Sequence, residues 1–134
     1  MNVRIVNVEQ ILVATLEHNG SPVLLNDSVQ RFIEWRKKTG LSPISSSQTY
    51  GIPYNDPNKT PADEFRFDIC GSVTESVPSN PQGIVTKIIP GGRCAVVTHT
   101  GSRERISESV YDLYRSGSLK AAKSCGTFRY IFTI

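Results

Sequence analysis

The 134-residue sequence is poor in the side chains that build disulfide frameworks and metal centres. It has two histidines and three cysteines, Cys70, Cys94 and Cys125. An odd number of cysteines with no C-x-x-C spacing predicts neither a disulfide framework nor a zinc site. Because Cys70 and Cys94 fall in strand-like segments, we expect both to act as small buried apolar groups. The sequence predicts no metal site and no cofactor.

Long apolar runs are also absent. Residues Met1–Asn7 lack the continuous apolar region of a signal peptide, and no stretch approaches the roughly 18 apolar residues of a membrane span. Together with the lack of a predicted disulfide framework, these absences predict a reduced, soluble, cytoplasmic protein. The length fits a single domain, residues 1–134, which can bury a normal core.

Acidic residues are missing from the C-terminal end. Four of the 15 Lys and Arg residues follow Asp112 but none of the 12 acids does, so residues 1–112 carry a net charge of −1 (11 minus 12) within a total of +3. A basic end on a neutral body differs from a basic binding face, and four charges are too dilute for a nucleic-acid arm. We therefore predict no direct binding to nucleic acid.

Motifs of nucleophilic and phosphate chemistry are missing as well. The chain contains no G-x-S-x-G elbow, and no G-x-x-x-x-G-K-[ST] sequence surrounds Gly91-Gly92. We predict no catalytic residues, and an enzyme is the weaker interpretation.

An internal repeat is the most informative feature present. Val3–Ser21 and Ile84–Ser102 align without a gap at an offset of 81 residues. The two histidines, His18 and His99, fall on each other, and each is followed two positions later by a glycine. The coincidence predicts a duplication, with one repeat in residues 1–80 and the other in residues 82–134.

Each repeat begins with two β-rich segments. They are Val3–Val8 and Ile11–Leu16 in the first repeat, and Ile84–Ile89 and Cys94–Thr98 in the second. The turn sequence Pro90-Gly91-Gly92 between the second pair predicts a hairpin.

A helix follows each pair. The first begins after Ser21 with Pro22 in its first turn and ends at Gly40, a residue free to adopt positive φ. The second contains Ile106 and ends before Gly117.

Three further strands are predicted from alternating side chains: Gln48–Tyr54, Phe65–Val73 and Phe128–Ile134. The first repeat is therefore ββαββ, the second is incomplete, and the fold class is α+β.

The chain resembles the GyrI-like domain, the small-molecule-binding domain of the gyrase-inhibitor family and of the effector modules of AraC-type transcription regulators. The resemblance covers roughly residues 3–115 and is carried by three stretches in order: Ala14–Pro22 with Phe32–Trp35, Tyr50–Pro57 with Arg66–Asp68, and Ile89–Val96.

The resemblance implies two pseudo-symmetric halves whose antiparallel sheets form a central cleft for amphipathic, often cationic, small molecules. Aromatic faces and a partly buried carboxylate would favour such a cation. The length leaves no room for a helix-turn-helix DNA reader, so we expect a stand-alone effector-binding domain that acts on transcription indirectly. The alternatives are a protein-interaction module, such as one that binds a topoisomerase, and a small-molecule hydrolase.

The C-terminus departs from the family pattern. Members usually end with two strands, the last of which carries a glutamate that faces the cleft; here Ser116–Thr127 and Phe128–Ile134 contain no acid. We hypothesise a replaced ending. If a strand is missing, self-association could cover the exposed edge, which makes a homodimer plausible.

The candidate ligand-binding residues are Tyr50, Tyr54, Arg66 and Asp68. By the duplication, Asp68 is the first-repeat counterpart of the missing glutamate, and it could meet a cation. The alternative is an Arg66–Asp68 surface pair, worth at most about 1 kcal/mol if exposed. The tyrosines could be aromatic walls of the cleft or residues at the margin of the core.

Three other side chains are predicted to be structural. His18 and His99 each end a strand before a glycine turn, where an imidazole can satisfy loop carbonyls. Trp35 is predicted to pack in the core.

Overall fold

The computed structural model describes residues 3–99, 105–115 and 129–133. Within them lie seven strands and two α-helices, which confirms the predicted α+β class. In chain order they are β1 (Val3–Val8), β2 (Ile11–Asn19), α1 (Leu25–Thr39), β3 (Thr49–Pro53), β4 (Arg66–Ser72), β5 (Val85–Ile89), β6 (Gly92–Thr98), α2 (Ile106–Arg115) and β7 (Arg129–Thr133).

The strands form one sheet rather than the two that the resemblance implied. Their order is β1-β6-β7-β3-β4-β2-β5, and every neighbouring pair is antiparallel except β6 and β7, which are parallel. The sheet is therefore mixed, with β1 and β5 as its edges.

The predicted hairpin at Pro90-Gly91-Gly92 is wrong. Instead of pairing with each other, β5 pairs with β2, and β6 lies between β1 and β7. The glycine signal instead reflects close packing, because a Cβ on Gly91 would lie 3.2 Å from the carbonyl oxygen of Val8 and 3.3 Å from the nitrogen of Gln10. The β1–β2 and β5–β6 connections thus pass against each other.

These two short connections require a curled sheet. Five inter-strand spacings of about 4.8 Å separate β1 from β2, which is roughly 24 Å across a flat sheet. The chain from Val8 to Ile11 reaches at most roughly 11 Å. The sheet must therefore bend until the end of β1 approaches the start of β2.

Both faces of the sheet carry buried apolar side chains. The helices cover one face, where Leu16, Phe32, Trp35, Phe67 and Phe132 belong to the larger core. The opposite face, here called the helix-free face, carries a smaller buried cluster: Val13, Ile52, Cys70, Ile89, Cys94, Val96 and Ile131. Since no described helix covers this cluster, its burial indicates that the curl encloses it.

Helix α1 ends where the sequence predicts, but its predicted first turn is a 3₁₀ turn and the α-helix begins at Leu25. Ser21 Oγ accepts a hydrogen bond from the Val23 backbone N–H, a short 3₁₀ turn with Pro22 leads into the helix, and Gly40 has φ of 66°. The packing role of Trp35 is confirmed, because it is buried and stacks on Phe32 at 5.8 Å between ring centres.

The final strand completes the sheet. β7 lies between β6 and β3, and Ile131 and Phe132 are buried. β7 thus occupies a strand position in the sheet, and a missing strand is the reason that the sequence gives for expecting a homodimer. The homodimer stays a prediction. Residues 116–128, where the departure from the family pattern begins, lie outside the described residues, and the replaced ending stays a hypothesis.

Candidate functional site

A cavity of about 60 Å³ opens on the helix-free face where β2, β3, β4 and β5 lie side by side. Its walls include the apolar Val13, Ile52 and Ile89, and its polar groups include Asp68 and Lys87. The sheet register brings these residues together, since Asp68 pairs with Ile52 on one side and Glu17 on the other, and Lys87 lies opposite Val13. Strands far apart in sequence thus build one polar pocket in an apolar wall.

The centre of the site is a buried carboxylate. The Asp68 side chain is 3% exposed, and its Oδ2 atom lies 2.9 Å from Lys87 Nζ and 2.5 Å from the donating hydroxyl of Tyr54. Lys87 Nζ also lies 2.8 Å from Glu17 Oε2, nearer the solvent. The hydrogen bonds and the ammonium charge offset the desolvation of the carboxylate.

The same contacts shift the pKa values of their partners. Burial lowers the pKa of Lys87, but the hydrogen bonds to Glu17 and Asp68 outweigh this effect and leave it above its ordinary value. Burial, followed by the hydrogen bond to Asp68, raises the pKa of Tyr54 to about 12. The ammonium and the neutral phenol are therefore the stable forms at neutral pH.

Cys70 adds no nucleophile to the site. Burial raises the pKa of its thiol to about 12, and the sulfur lies 3.5 Å from Thr15 Oγ1. A thiol that stays protonated is unreactive. Cys70 and Cys94 are both buried, as predicted.

The structure brings three of the four predicted site residues together. Tyr54 contacts Asp68, and the guanidinium carbon of Arg66 lies 5.0 Å from the centre of the Tyr54 ring. The alternative interpretation, an Arg66–Asp68 surface pair, is wrong, because Asp68 is buried and pairs with Lys87. Tyr50 lies farther along β3, half-buried against the helix-free cluster. None of these contacts tests binding, so the ligand-binding roles stay predictions.

The sequence interpretation missed Lys87 and Glu17. A lysine inside the mostly apolar Ile84–Ile89 is an unusual placement that could have marked a paired charge. Glu17 follows Thr15 at strand spacing and therefore shares its face. Because β2 pairs with both β4 and β5, Glu17 and Lys87 lie close to Asp68. The predicted β5–β6 hairpin gave no indication of this pairing.

Both histidines have the predicted structural role. His18 Nε2 donates to the Ser21 carbonyl at 2.9 Å, and its Nδ1 forms a hydrogen bond of 2.7 Å with Ser28 Oγ. His99 Nδ1 lies 2.6 Å from Ser109 Oγ, at the same separation of ten residues. Each imidazole fastens the end of a strand to the following helix. The matching contacts agree with a duplication, which itself stays a prediction.

A family model described as the GyrI-like small molecule binding domain matches residues 1–117. The chain belongs to the GyrI-like family. The predicted resemblance is confirmed, and the match ends where the sequence departs from the family pattern.

Two curated relatives and two solved structures extend this comparison. The GyrI-like chain is 48% identical over 115 residues to the probable transcriptional regulator YgiV of Escherichia coli K12, and 46% identical to YgiV of Escherichia coli O157:H7, with 86% of this chain and 72% of each relative covered. The crystal structure of the EcmrR C-terminal domain matches with a TM-score of 0.56 at 12% identity, over 87% of this chain and 74% of that one. An EcmrR–DNA complex solved by cryo-electron microscopy matches with a TM-score of 0.57 at 10% identity, over 87% of this chain and 44% of that one. At such low identities the structural matches support the fold alone.

The described part of the GyrI-like domain lacks two kinds of feature. No helix within it is long and apolar enough to cross a membrane. No three His, Cys, Asp or Glu side chains within it cluster as metal ligands would.

The Tyr54 hydroxyl gives the site a testable alkaline titration. Its pKa is raised from 10.0 to about 12, so the stabilisation from its neutral form is complete below pH 10 and is lost as the pH rises through 12. In a difference titration of tyrosinate absorbance, Tyr54→Phe should remove a phenol that ionises near pH 12. It should also flatten the decline in stability between pH 10 and 12. If Tyr54→Phe instead removed a phenol that ionises near the ordinary value of 10.0, the buried hydrogen bond to Asp68 would be refuted.

Proposed function

We propose that this GyrI-like domain captures an amphipathic, positively charged small molecule on its helix-free face. The observation that carries the proposal is the Asp68 carboxylate, which is 3% exposed, lines a cavity with apolar walls and is paired with the more exposed Lys87. A buried carboxylate among apolar walls favours a cation that also carries apolar surface.

The surroundings of Asp68 suit both parts of such a ligand. Val13, Ile52 and Ile89 offer apolar contact and continue into the cluster along the helix-free face. The Tyr54 ring already holds a cation over one face, the Arg66 guanidinium. An aromatic face and an aliphatic wall around one carboxylate match a charged head with an apolar body.

The cavity size limits which part of the ligand can enter. About 60 Å³ holds a small head group, whereas pockets for drug-sized molecules measure roughly 300–1,000 Å³. We infer that the head reaches Asp68 while the apolar body lies against the helix-free cluster near Tyr50.

The relatives suggest a biological role for ligand binding by this domain. YgiV is named a probable transcriptional regulator, and the matched EcmrR domain is part of a protein solved with DNA. We propose that this chain is an effector-binding unit that acts on transcription indirectly, without itself contacting nucleic acid.

Four probes with the same tail test the proposal. Decylammonium and decyltrimethylammonium carry a positive charge, decyl sulfate a negative one and decanol none, and all are titrated below their micelle-forming concentrations by calorimetry. At least one cation should bind saturably and the sulfate should not. If neither cation bound saturably, or if decyl sulfate bound as tightly as the cations, cation capture would be refuted.

Variants locate the binding. Asp68→Asn should weaken binding of the cation at least tenfold, or about 1.4 kcal/mol. Tyr50→Ala should weaken it less, through lost contact with the apolar body. Glu34→Gln, which removes an exposed acid on α1, should leave the affinity unchanged.

A further inference from the structure

The Lys87 side chain already occupies the cation position of the site. Its ammonium lies 2.9 Å from Asp68 Oδ2 and 2.8 Å from Glu17 Oε2, and both carboxylates accept its hydrogen bonds. The side chain enters from the edge strand β5 and is 32% exposed, whereas Asp68 is 3% exposed. A flexible stem thus carries an alkylammonium from the rim to the buried carboxylate.

We propose that Lys87 acts as a tethered ligand, and that the free ligand is a primary alkylammonium that exchanges with it. The inference rests on the proposed function for the location of the site and goes beyond it by naming the head group and the residue that competes for it. On exchange, the ligand ammonium takes the place beside Asp68, and Lys87 withdraws to Glu17.

The contacts favour a primary ammonium over a quaternary one. Lys87 makes two hydrogen bonds shorter than 3 Å from one nitrogen, which requires N–H donors and close approach. The methyl groups of a quaternary nitrogen supply neither. Oδ2 of Asp68 also accepts a hydrogen bond from the Tyr54 hydroxyl. The oxygen that the ammonium contacts is therefore held in place by a second hydrogen bond.

The charges of the site permit the exchange. Glu17 and Asp68 contribute two negative charges and Lys87 one positive charge, so a monocation brings the trio and its ligand to neutrality. The Glu17 side chain is 43% exposed, so it can keep Lys87 at the rim without burying a second ammonium. The withdrawn lysine therefore retains a partner.

Chemical rescue tests the proposal. In Lys87→Ala the head and most of the stem are removed, which leaves a space for a small amine beside Asp68. Butylammonium chloride should raise the melting temperature of this variant, by about 4 °C at ten times its dissociation constant and with the logarithm of its concentration above that. Butyltrimethylammonium chloride at equal ionic strength should give less than a quarter of this shift.

Matched variants establish where the amine acts. Lys87→Met fills the space with an uncharged chain and should show no rescue, and neither should Lys87→Ala combined with Asp68→Asn. Lys38→Ala, an exposed change on α1, keeps Lys87 as a competitor and should show a smaller shift with butylammonium than Lys87→Ala does. Absence of rescue in folded Lys87→Ala, rescue that persists without Asp68, or equal rescue by both amines would overturn the proposal.

The unmodified chain provides a second measurement that does not depend on a folded variant. Decylammonium should bind it at least tenfold more tightly than decyltrimethylammonium, and equal affinities would overturn the primary-ammonium proposal. If both decyl cations bind but butylammonium does not rescue, cation capture survives and the tethered ligand is refuted. If rescue succeeds while neither decyl cation binds the unmodified chain, Asp68 accepts a primary ammonium but no free ligand displaces Lys87, and both the exchange and amphipathic capture are refuted.

Discussion

Phe132→Ala is expected to lower the free energy of unfolding by about 3–5 kcal/mol, a large part of the stability of a domain of this size. The Phe132 side chain is fully buried on the helix-covered face, and its ring lies 6.3 Å from that of Phe67. Gly51 on the neighbouring β3 makes room for the pair, because a Cβ there would collide with the Phe67 ring. The truncation leaves a cavity that this close-packed region cannot fill. Denaturation by urea, followed by tryptophan fluorescence, measures the loss.

Two controls make the Phe132 result interpretable. Phe132→Leu keeps most of the volume and should cost less than about 1.5 kcal/mol. Val23→Ala truncates an exposed side chain and should change stability by no more than about 0.5 kcal/mol. A loss below 1 kcal/mol for Phe132→Ala would contradict a core position for β7 and would support a loosely attached ending.

Lys87→Met is expected to cost about 2 kcal/mol, since it leaves the Asp68 carboxylate buried without its counter-charge. Removing one partner of a fully buried pair costs roughly 3–5 kcal/mol, and the partial exposure of Lys87 reduces the effect here. Adding Asp68→Asn removes the uncompensated charge and should restore part of the loss. Urea denaturation of the two single variants and the double variant gives the coupling energy between the two sites.

The cycle distinguishes a charge effect from a packing effect. Methionine retains much of the lysine stem, so lost packing would persist in the double variant, whereas lost charge compensation would not. Strictly additive losses would contradict the ion pair. Lys38→Met is the matched control, because its side chain is exposed at the end of α1.

The local elements of the fold could be predicted from the sequence because their signals are local. The strand Val3–Val8 has the predicted bounds, and the helix that follows Ser21 ends at the predicted Gly40. The pairing of β5 could not be predicted this way. The turn sequence after Ile89 is compatible with a hairpin, but burial of both sheet faces is achieved by pairing β5 with β2 and β6 with β1. A distant partner leaves no trace in a local pattern.

The candidate site shows the same division. The alternation of Phe67, Asp68 and Ile69 predicts which face the carboxylate occupies, and the structure confirms that face. Its partner could not be predicted, because Lys87 reaches Asp68 across β2, between strands whose order the sequence does not reveal. The sequence suggests Arg66 as a partner of Asp68 only because the two residues are close along the chain, whereas the partner in the structure is Lys87.

The β1–β2 and β5–β6 connections that meet at Gly91 join strands whose partners are distant in sequence, and this affects how the chain folds. Val3 pairs with Val97, so the first strand finds its neighbour only after almost a hundred residues have been synthesised. Such long-range pairing slows folding, because the entropy of closing large loops is lost before the contacts form. During that delay, β1 of one molecule is available to β6 of another, so we expect strand exchange between nascent chains to compete with folding.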